Sequence, residues 1–465
     1  MERLTPLDAA FLEIEDEDPE AALAIASIAV AEGPAPEQDE IVAAFTALLP
    51  MVPRYRQRVR HVPLDLGPPR WVEDAGFDPT HHFRRIALPA PGDEGALCDV
   101  IGLIMSERLD RARPLWECWV IEGLEHGRWA IVSKLHHCMT DGVSGNILHE
   151  VFFREHELPP RPAEPEAEPG AVRSLAESLR SLVTTPLSEL RLLGRGLAAP
   201  RKLAGRVTEA AQGLGALASA LIPVSPSSLS GPIGHLRHYE LAHASLPEIV
   251  GIAKAFGVTV NDVVLAAVSG AFRTVLLDRG EEPAPNSLRT LVPVSVRSGE
   301  PAAMDNQVSL MLPLLPVDLP DPVLRLVAVH RRLAVLKAHK EAQAGLAVTT
   351  SAQWGPFAPV AWAVRAAAKL PQRNIVTVTT NVPGPRGSLS VLGREIAELY
   401  PYVPIALRLR TGIAVLTYRD RMSFGITADL DSAPKTHLLA EAVERDIAAL
   451  AEAAHAKAGA ASSPG

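Results

Sequence analysis

Residues 128–145 read RWAIVSKLHHCMTDGVSG, a strand-like run that ends in His136 and His137 and then in Asp141 and Gly142. This segment restricts both fold and chemistry. Neighbouring side chains of a strand point to opposite faces. His136 and His137 therefore cannot serve the same small site. His137 is in phase with the apolar residues Trp129, Ile131 and Leu135, and His136 with Val132 and Lys134. An apolar setting disfavours the imidazolium and lowers a histidine pKa. A neutral imidazole near pH 7 is what a general base requires. His137 is thus the expected base, and His136 is expected to hold the turn through hydrogen bonds.

Asp141 lies past the strand end. It can orient a histidine as a triad acid does, or form a structural ion pair. The ion pair is the favoured reading, with Arg297 at the end of LVPVSVR as partner. Gly142 removes a side chain where a substrate must approach closely. His81 and His82, in DPTHHFRR, have no Asp-Gly behind them and are read as non-catalytic.

Rival chemistries lack their patterns. H-E-x-x-H is absent, and Cys138 has no partners at ligand spacing, so no metal is expected. The G-x-S-x-G elbow of a serine nucleophile is absent too. A net charge of −9 with pI ≈ 5.9 argues against nucleic acid as partner. The three cysteines are few and odd in number, which fits a reducing compartment. The N-terminal stretch lacks an apolar core of the signal-peptide kind. The chain's longest apolar run, near 213–224, is shorter than the roughly 20 residues a spanning helix needs. A cytoplasmic protein, or one peripheral to a membrane, is the expectation.

A chain of 465 residues exceeds a single core of usual size. Composition suggests an N-terminal domain over 1–158, a Pro-rich and helical linker over 159–235, and a C-terminal domain over 236–465. The linker opens with PPRPAEPEAEPG, which is stiff and exposed in character. Its stretch 171–222 has apolar residues at helical spacing and more arginines than acids. Such a segment either lies on an anionic membrane surface or packs as a helix with a basic face. Helices are expected over 39–49, 97–108, 246–256 (stopped by Gly257) and 261–278. Strands are expected over 128–137, 239–245, 291–296, 308–315, 375–380, 412–418 and 422–426. This is an α/β pattern in two units without solenoid repeats.

Six further segments accompany the histidine motif. They are LTPLDAAFLEIE at 4–15, LDRARPLWE at 109–117, LSGPIG at 229–234, TVNDVVLAAVSGAFR at 259–273, TNVPGPR at 380–386 and LTYRDRMSFGITAD at 416–429. The H-H-x-x-x-D-G string resembles the active-site motif of the coenzyme A-dependent acyltransferase superfamily. The six together, in this order, resemble the bacterial wax ester synthase/diacylglycerol acyltransferase family over nearly the whole chain. The chain departs from that pattern at 304–306 (Met-Asp-Asn) and in YPYVPIALRLRTG at 400–412.

The resemblance implies two chloramphenicol-acetyltransferase-like domains with a substrate tunnel at their interface. It implies acyl-CoA as a substrate rather than a bound cofactor, and a long-chain alcohol or diacylglycerol as acceptor. His137 then matches the base, and His136, Asp141 and Gly142 the rest of the motif. Pro114-Leu115-Trp116 and Asn261-Asp262 match further motifs. Asn261 and Glu15 would organise the active site or acceptor pocket. Without the resemblance Asn261 is an ordinary helix N-cap and Trp116 core packing. Oxyanion donors are sought at Asn261 and at the strand end Thr379-Thr380-Asn381. Remaining rivals are an acyltransferase of the superfamily acting on a polyketide or other lipid hydroxyl, a carrier-bound condensation module, and a non-catalytic lipid-binding protein. The setting such substrates imply is the inner membrane or a lipid-droplet surface.

Overall fold

The computed structural model describes residues 2–62, 68–139, 153, 224–295, 308–338, 365, 372–385 and 387–462. Asp141, Gly142, Arg297 and the segment 171–222 lie outside these residues.

Two mixed sheets carry the molecule. The first contains β1 (Ala24–Ala31), β4 (Phe83–Ala87), β5 (Trp116–Leu124), β6 (Arg128–His136), β12 (Ser390–Val391) and β13 (Arg394–Tyr402), in the order β12-β13-β1-β6-β5-β4. The second contains β7 (Arg237–Ser245), β8 (Leu288–Ser295), β10 (Leu314–Leu315), β11 (Thr377–Val382), β14 (Thr411–Tyr418) and β15 (Arg421–Asp429). Its order is β10-β8-β11-β14-β15-β7, with β9 (Val308–Met311) also paired to β8. A small ribbon joins β2 (Gln57–Arg60) to β3 (Arg70–Glu73).

The expected strand over 308–315 is in fact two, β9 and β10. Both run antiparallel to β8 in one continuing register, with Met311 opposite Val292 and Leu314 opposite Arg289. Pro313 lies between them and has no N–H to give the ladder.

Seven helices complete the described layers: α1 (Pro6–Glu17), α2 (Gln38–Leu48), α3 (Glu94–Ser106), α4 (Leu246–Phe256), α5 (Val260–Asp278), α6 (Pro322–Ala338) and α7 (Thr436–Ser462). Local sequence explains their ends. The Thr5 side chain accepts from Asp8 N–H, with Pro6 in the first turn of α1. Ser245 caps α4, and Gly257 ends it at φ +68, where a side chain would be strained. Thr259 and Asp262 form a capping box at the start of α5. The N-cap is therefore Thr259, and Asn261 sits inside the first turn with its side chain free for another use.

Helix α5 is long and apolar enough to span a membrane by composition. Val263 to Phe272 are all buried, however, within the core that α5 shares with α4, α6, α7 and the second sheet. It is the central helix of that core.

Two features lock the sheets together. Strands β12 and β13, from the C-terminal third of the chain, complete the first sheet; β13 pairs antiparallel with β1, Tyr402 opposite Ala26. The two sheets thus do not divide the chain at one point. Where β13 crosses β15, a side chain at Gly425 would strike the Pro401 carbonyl at 1.9 Å, and the Tyr239 hydroxyl donates to that carbonyl at 2.8 Å. Likewise α3 lies against β7 so closely that a Cβ on Gly102 would meet the Arg237 carbonyl at 2.6 Å. Arg237 N–H donates to Ser106 Oγ at 2.8 Å. Its buried guanidinium reaches the Glu20 carbonyl, the Gly234 carbonyl and the Asp429 carboxylate. Asp429 in turn accepts from Gly234 N–H at 2.6 Å. The motifs LSGPIG and LTYRDRMSFGITAD therefore meet in a junction between the sheets.

Candidate active site

Strand β6 lies between β1 and β5 and ends at the paired histidines. His136 N–H donates to the Leu115 carbonyl and His137 N–H to the Leu23 carbonyl, each at 2.9 Å. The chain then leaves the sheet as a 3-10 turn, His137–Met139. Cys138 N–H donates to His136 Nδ1 at 3.2 Å, so His136 holds the turn. Because Nδ1 is an acceptor, the proton of neutral His136 sits on Nε2. That nitrogen faces the Glu15 carboxylate at 3.4 Å.

Helix α1 supplies both partners of the histidine pair. Phe11 and Glu15 are four residues apart and share a helix face. The Phe11 ring stacks on His137 with centroids 3.9 Å apart and planes at 22°. Glu15 accepts from Leu23 N–H at 2.8 Å and pairs with Arg111 as well as facing His136. Arg111 comes from LDRARPLWE. Three segments far apart in sequence thus converge on the end of β6.

The electrostatics follow from burial and pairing. Burial works to raise the Glu15 pKa, but His136, Arg111 and the Leu23 N–H outweigh it and hold the carboxyl at about 2. Burial lowers His136 too, against the pull of Glu15. Burial takes His137 down to about 4; its own carbonyl opposes this and the neighbouring His136 adds to it. Both imidazoles are therefore neutral at pH 7 beside an ionised carboxylate. Such a neutral ring can accept a proton, as a general base must.

The His136 face of β6 also carries a buried cation that sequence reasoning missed. Lys134 is fully buried, and its Nζ donates to the carbonyls of Ile104 (2.7 Å) and Glu107 (2.6 Å) at the C-terminal end of α3. A cation at that end meets unpaired carbonyls and the negative pole of the helix. Burial brings the Lys134 pKa down to about 8, against the pull of Glu117, Glu107 and Glu15.

His82 and Trp116 are packing partners. His82 Nδ1–H donates to the Trp116 carbonyl at 2.8 Å, and the two rings stack at 4.2 Å. Trp116 Nε1–H donates to the Tyr55 carbonyl at 2.9 Å. His82 is thus a buried structural histidine.

A second cluster forms where β11 runs out beside the start of α5. Asn381 Nδ2 donates to Asn261 Oδ1 at 3.3 Å, joining TNVPGPR to TVNDVVL. Both residues are only partly buried. Thr380 lies one residue earlier, opposite Ala414 of β14. Thr379 is buried, with its hydroxyl 2.9 Å from that of Thr290. Asp262 accepts from Thr259 N–H and from His330 Nδ1–H, each at 2.8 Å. The structure therefore brings Glu15 to His136 and Phe11 to His137 as one group, and Asn261 to Asn381 as another. Phe11 and Arg111 were not singled out from the sequence. The i, i+4 spacing of Phe11 with Glu15 was the available signal. Among the described residues no group of three or more His, Cys, Asp or Glu is placed to hold a metal ion.

Comparison with known proteins gives the family. A family model described as the wax ester synthase/diacylglycerol acyltransferase catalytic domain matches residues 4–264, and one described as the C-terminal domain of the same family matches residues 304–451. The chain is 43% identical over 461 residues to a Mycobacterium tuberculosis protein named probable diacylglycerol O-acyltransferase tgs1, covering 97% of this chain and 96% of that one. Among solved structures it is similar to the wax ester synthase/diacylglycerol acyltransferase of Marinobacter aquaeolei VT8, with TM-score 0.66, 25% identity, and coverage of 98% and 100%. It shares its fold with a trichothecene 15-O-acetyltransferase from Fusarium sporotrichioides (TM-score 0.62, 12% identity, coverage 96% and 94%). It also shares it with a condensation domain of rhizomide synthetase solved with C8-CoA (TM-score 0.55, 16% identity, coverage 97% and 94%). The fold is the two-domain, chloramphenicol-acetyltransferase-like α/β fold, and the chain is an acyltransferase belonging to the wax ester synthase/diacylglycerol acyltransferase family.

Proposed function

We propose that the protein transfers a fatty acyl group from acyl-CoA to the hydroxyl of diacylglycerol or a long-chain alcohol, with His137 as general base. The observation that carries this reading is a neutral imidazole at the end of β6, stacked on Phe11 and flanked by the His136–Glu15–Arg111 group. An alcohol is a poor nucleophile until its proton is removed. His137 takes that proton as the oxygen attacks the thioester carbonyl. The C–S bond then breaks, and the proton passes to the CoA sulfur. Base assistance of this kind contributes about 10²–10⁴-fold. A direct transfer needs no acyl-enzyme and no resident cofactor. Thr380, Asn381 and Asn261 supply candidate donors for the tetrahedral oxyanion. Asp141 and Gly142 complete the motif in the sequence beyond His137.

The acceptor is favoured as diacylglycerol by the name of the 43% identical relative. The likeness to a fold-mate solved with C8-CoA is compatible with a CoA thioester donor. Since such acceptors barely dissolve, the enzyme works from the cytoplasm at the inner membrane or a lipid-droplet surface. The basic excess of 171–222 supports that docking. The test is CoA release from palmitoyl-CoA with diacylglycerol and a panel of alcohols, followed by lipid analysis. Triacylglycerol or wax ester formed with stoichiometric CoA supports the reading. Thioester hydrolysis alone, or no product, sinks it.

A further inference from the structure

An apolar cavity of about 400 Å³ lies between α2 and one face of the first sheet. Ile131, Ser133 and Leu135 of β6 form its floor, and Ile41, Ala44 and Phe45 of α2 stand across from them. These are one strand face (period two) and one helix face (i, i+3, i+4). Trp116 closes one side, held between Phe45 (4.7 Å) and His82 (4.2 Å). Lys134 and Glu117 also line it, and the Lys134 ammonium is directed away, into the end of α3.

The cavity's position ties it to the histidines. Trp116 and Leu135 are a directly opposed strand pair, and both line it. His137 is two residues beyond Leu135, at the turn where the chain leaves β6. From Leu135 back to Ile131 the floor extends a further four residues, about 13 Å. Two small residues keep that length open: Ser133 midway along the floor, and Ala44 on the facing helix.

We infer that this cavity seats the hydrocarbon chain of one substrate, with its reactive end towards His137, and that Ser133 and Ala44 set how long a chain it accepts. This rests on the acyl-transfer reading. Either chain has the required chemistry, the acyl chain of the donor or the alkyl chain of the acceptor. Each methylene removed from water favours binding about fourfold, so a cavity of this kind discriminates by length.

The test is Ser133→Leu, which fills the middle of the floor and leaves the Leu135 end open. In one arm, kcat/KM is measured for palmitoyl-CoA and octanoyl-CoA at fixed acceptor. In the other, hexadecanol and octanol are compared at fixed donor. The long-to-short ratio is expected to fall at least tenfold in one arm, and that arm names the chain. Unchanged ratios in both arms, in a folded variant, overturn the inference. If Ser133→Leu does not fold, Ala44→Leu is judged by the same ratios. Calorimetric binding of palmitate needs no turnover. If the wild type shows no acyl transfer, palmitate binding at least tenfold weaker in the variant keeps the cavity assignment while the catalytic reading falls. Equal palmitate binding by both proteins overturns it.

Discussion

The end of β6 and the end of β11 are built from the same parts and do opposite things. At each, a strand runs out against the side chains of a helix. At β6 the side chains are ionisable and largely removed from water: Glu15 and His136 are 2% and 1% exposed. At β11 they are the neutral amides of Asn261 and Asn381, partly open to solvent. The first end therefore has a protonation state set by its surroundings, while the second offers dipoles that no pH in the working range alters. Acyl transfer needs one group of each kind, a base and a donor to the oxyanion.

Substitutions at the two ends sharpen that contrast. His137→Ala is expected to lower turnover about 10²–10⁴-fold while circular dichroism and Tm stay near wild type. Near-wild-type turnover in the folded variant removes the base assignment. Glu15→Ala strips a buried carboxylate from Arg111, His136 and the Leu23 N–H. Removing one partner of such a pair costs about 3–5 kcal/mol, read as a fall in the denaturant midpoint. A loss under 1 kcal/mol would mean that water reaches the site.

At the other end, Asn381→Ala loses one neutral hydrogen bond, about 0.5–1.5 kcal/mol of stability. If Asn381 is the oxyanion donor, kcat falls about 10²-fold. A fall in stability with kcat intact confines it to structure.

The pH response should divide the ends as well. If His137 is the base, its neutral form is the active one, and its folded pKa is lowered to about 4. Activity should stay level from pH 7 to 5 and drop as pH falls through about 4. The unfolded histidine, at about 6.5, binds more protons than the folded one in that window, so stability also declines as pH falls through it. An inflection near 6.5 in kcat/KM would show that His137 is not desolvated.

A further effect is expected at Lys134, on the His136 face of β6. Its folded pKa of about 8 lies below the unfolded value. Wild-type stability should therefore rise between about pH 8 and 10.5, by Lys134's share. Lys134→Met should flatten that rise. An unchanged slope would mean the ammonium is not desolvated.

Short-range features were legible where one local rule decided them. The helix over 246–256 matches α4 end to end, because Ser245 and Gly257 act within one turn. The start of α5 was misread through Asn261, although Thr259 and Asp262 spell the capping box three residues apart. The strand over 308–315 was read through Pro313, which has no N–H to give the ladder. The phase of β6 correctly separated its faces: Ile131 and Leu135 line the apolar cavity, while Lys134 turns to α3 and His136 to α1. Phase did not reveal that the lysine face is the drier one, since a period says which residues share a face and not what covers it.

The sequence by itself determined the caps, the strand alternation, and the placing of a histidine pair at a strand end, because these depend on bonds and sterics within a few residues. Tertiary structure alone decided that Phe11 lies on His137, that Arg111 and Glu15 meet His136, and that β12 and β13 join a sheet begun some 360 residues earlier. The extent of the histidine's desolvation, which keeps the ring neutral at pH 7, belongs to this second group. Strand phase gives its apolar neighbours, but everything packed around the ring sets how far its pKa falls.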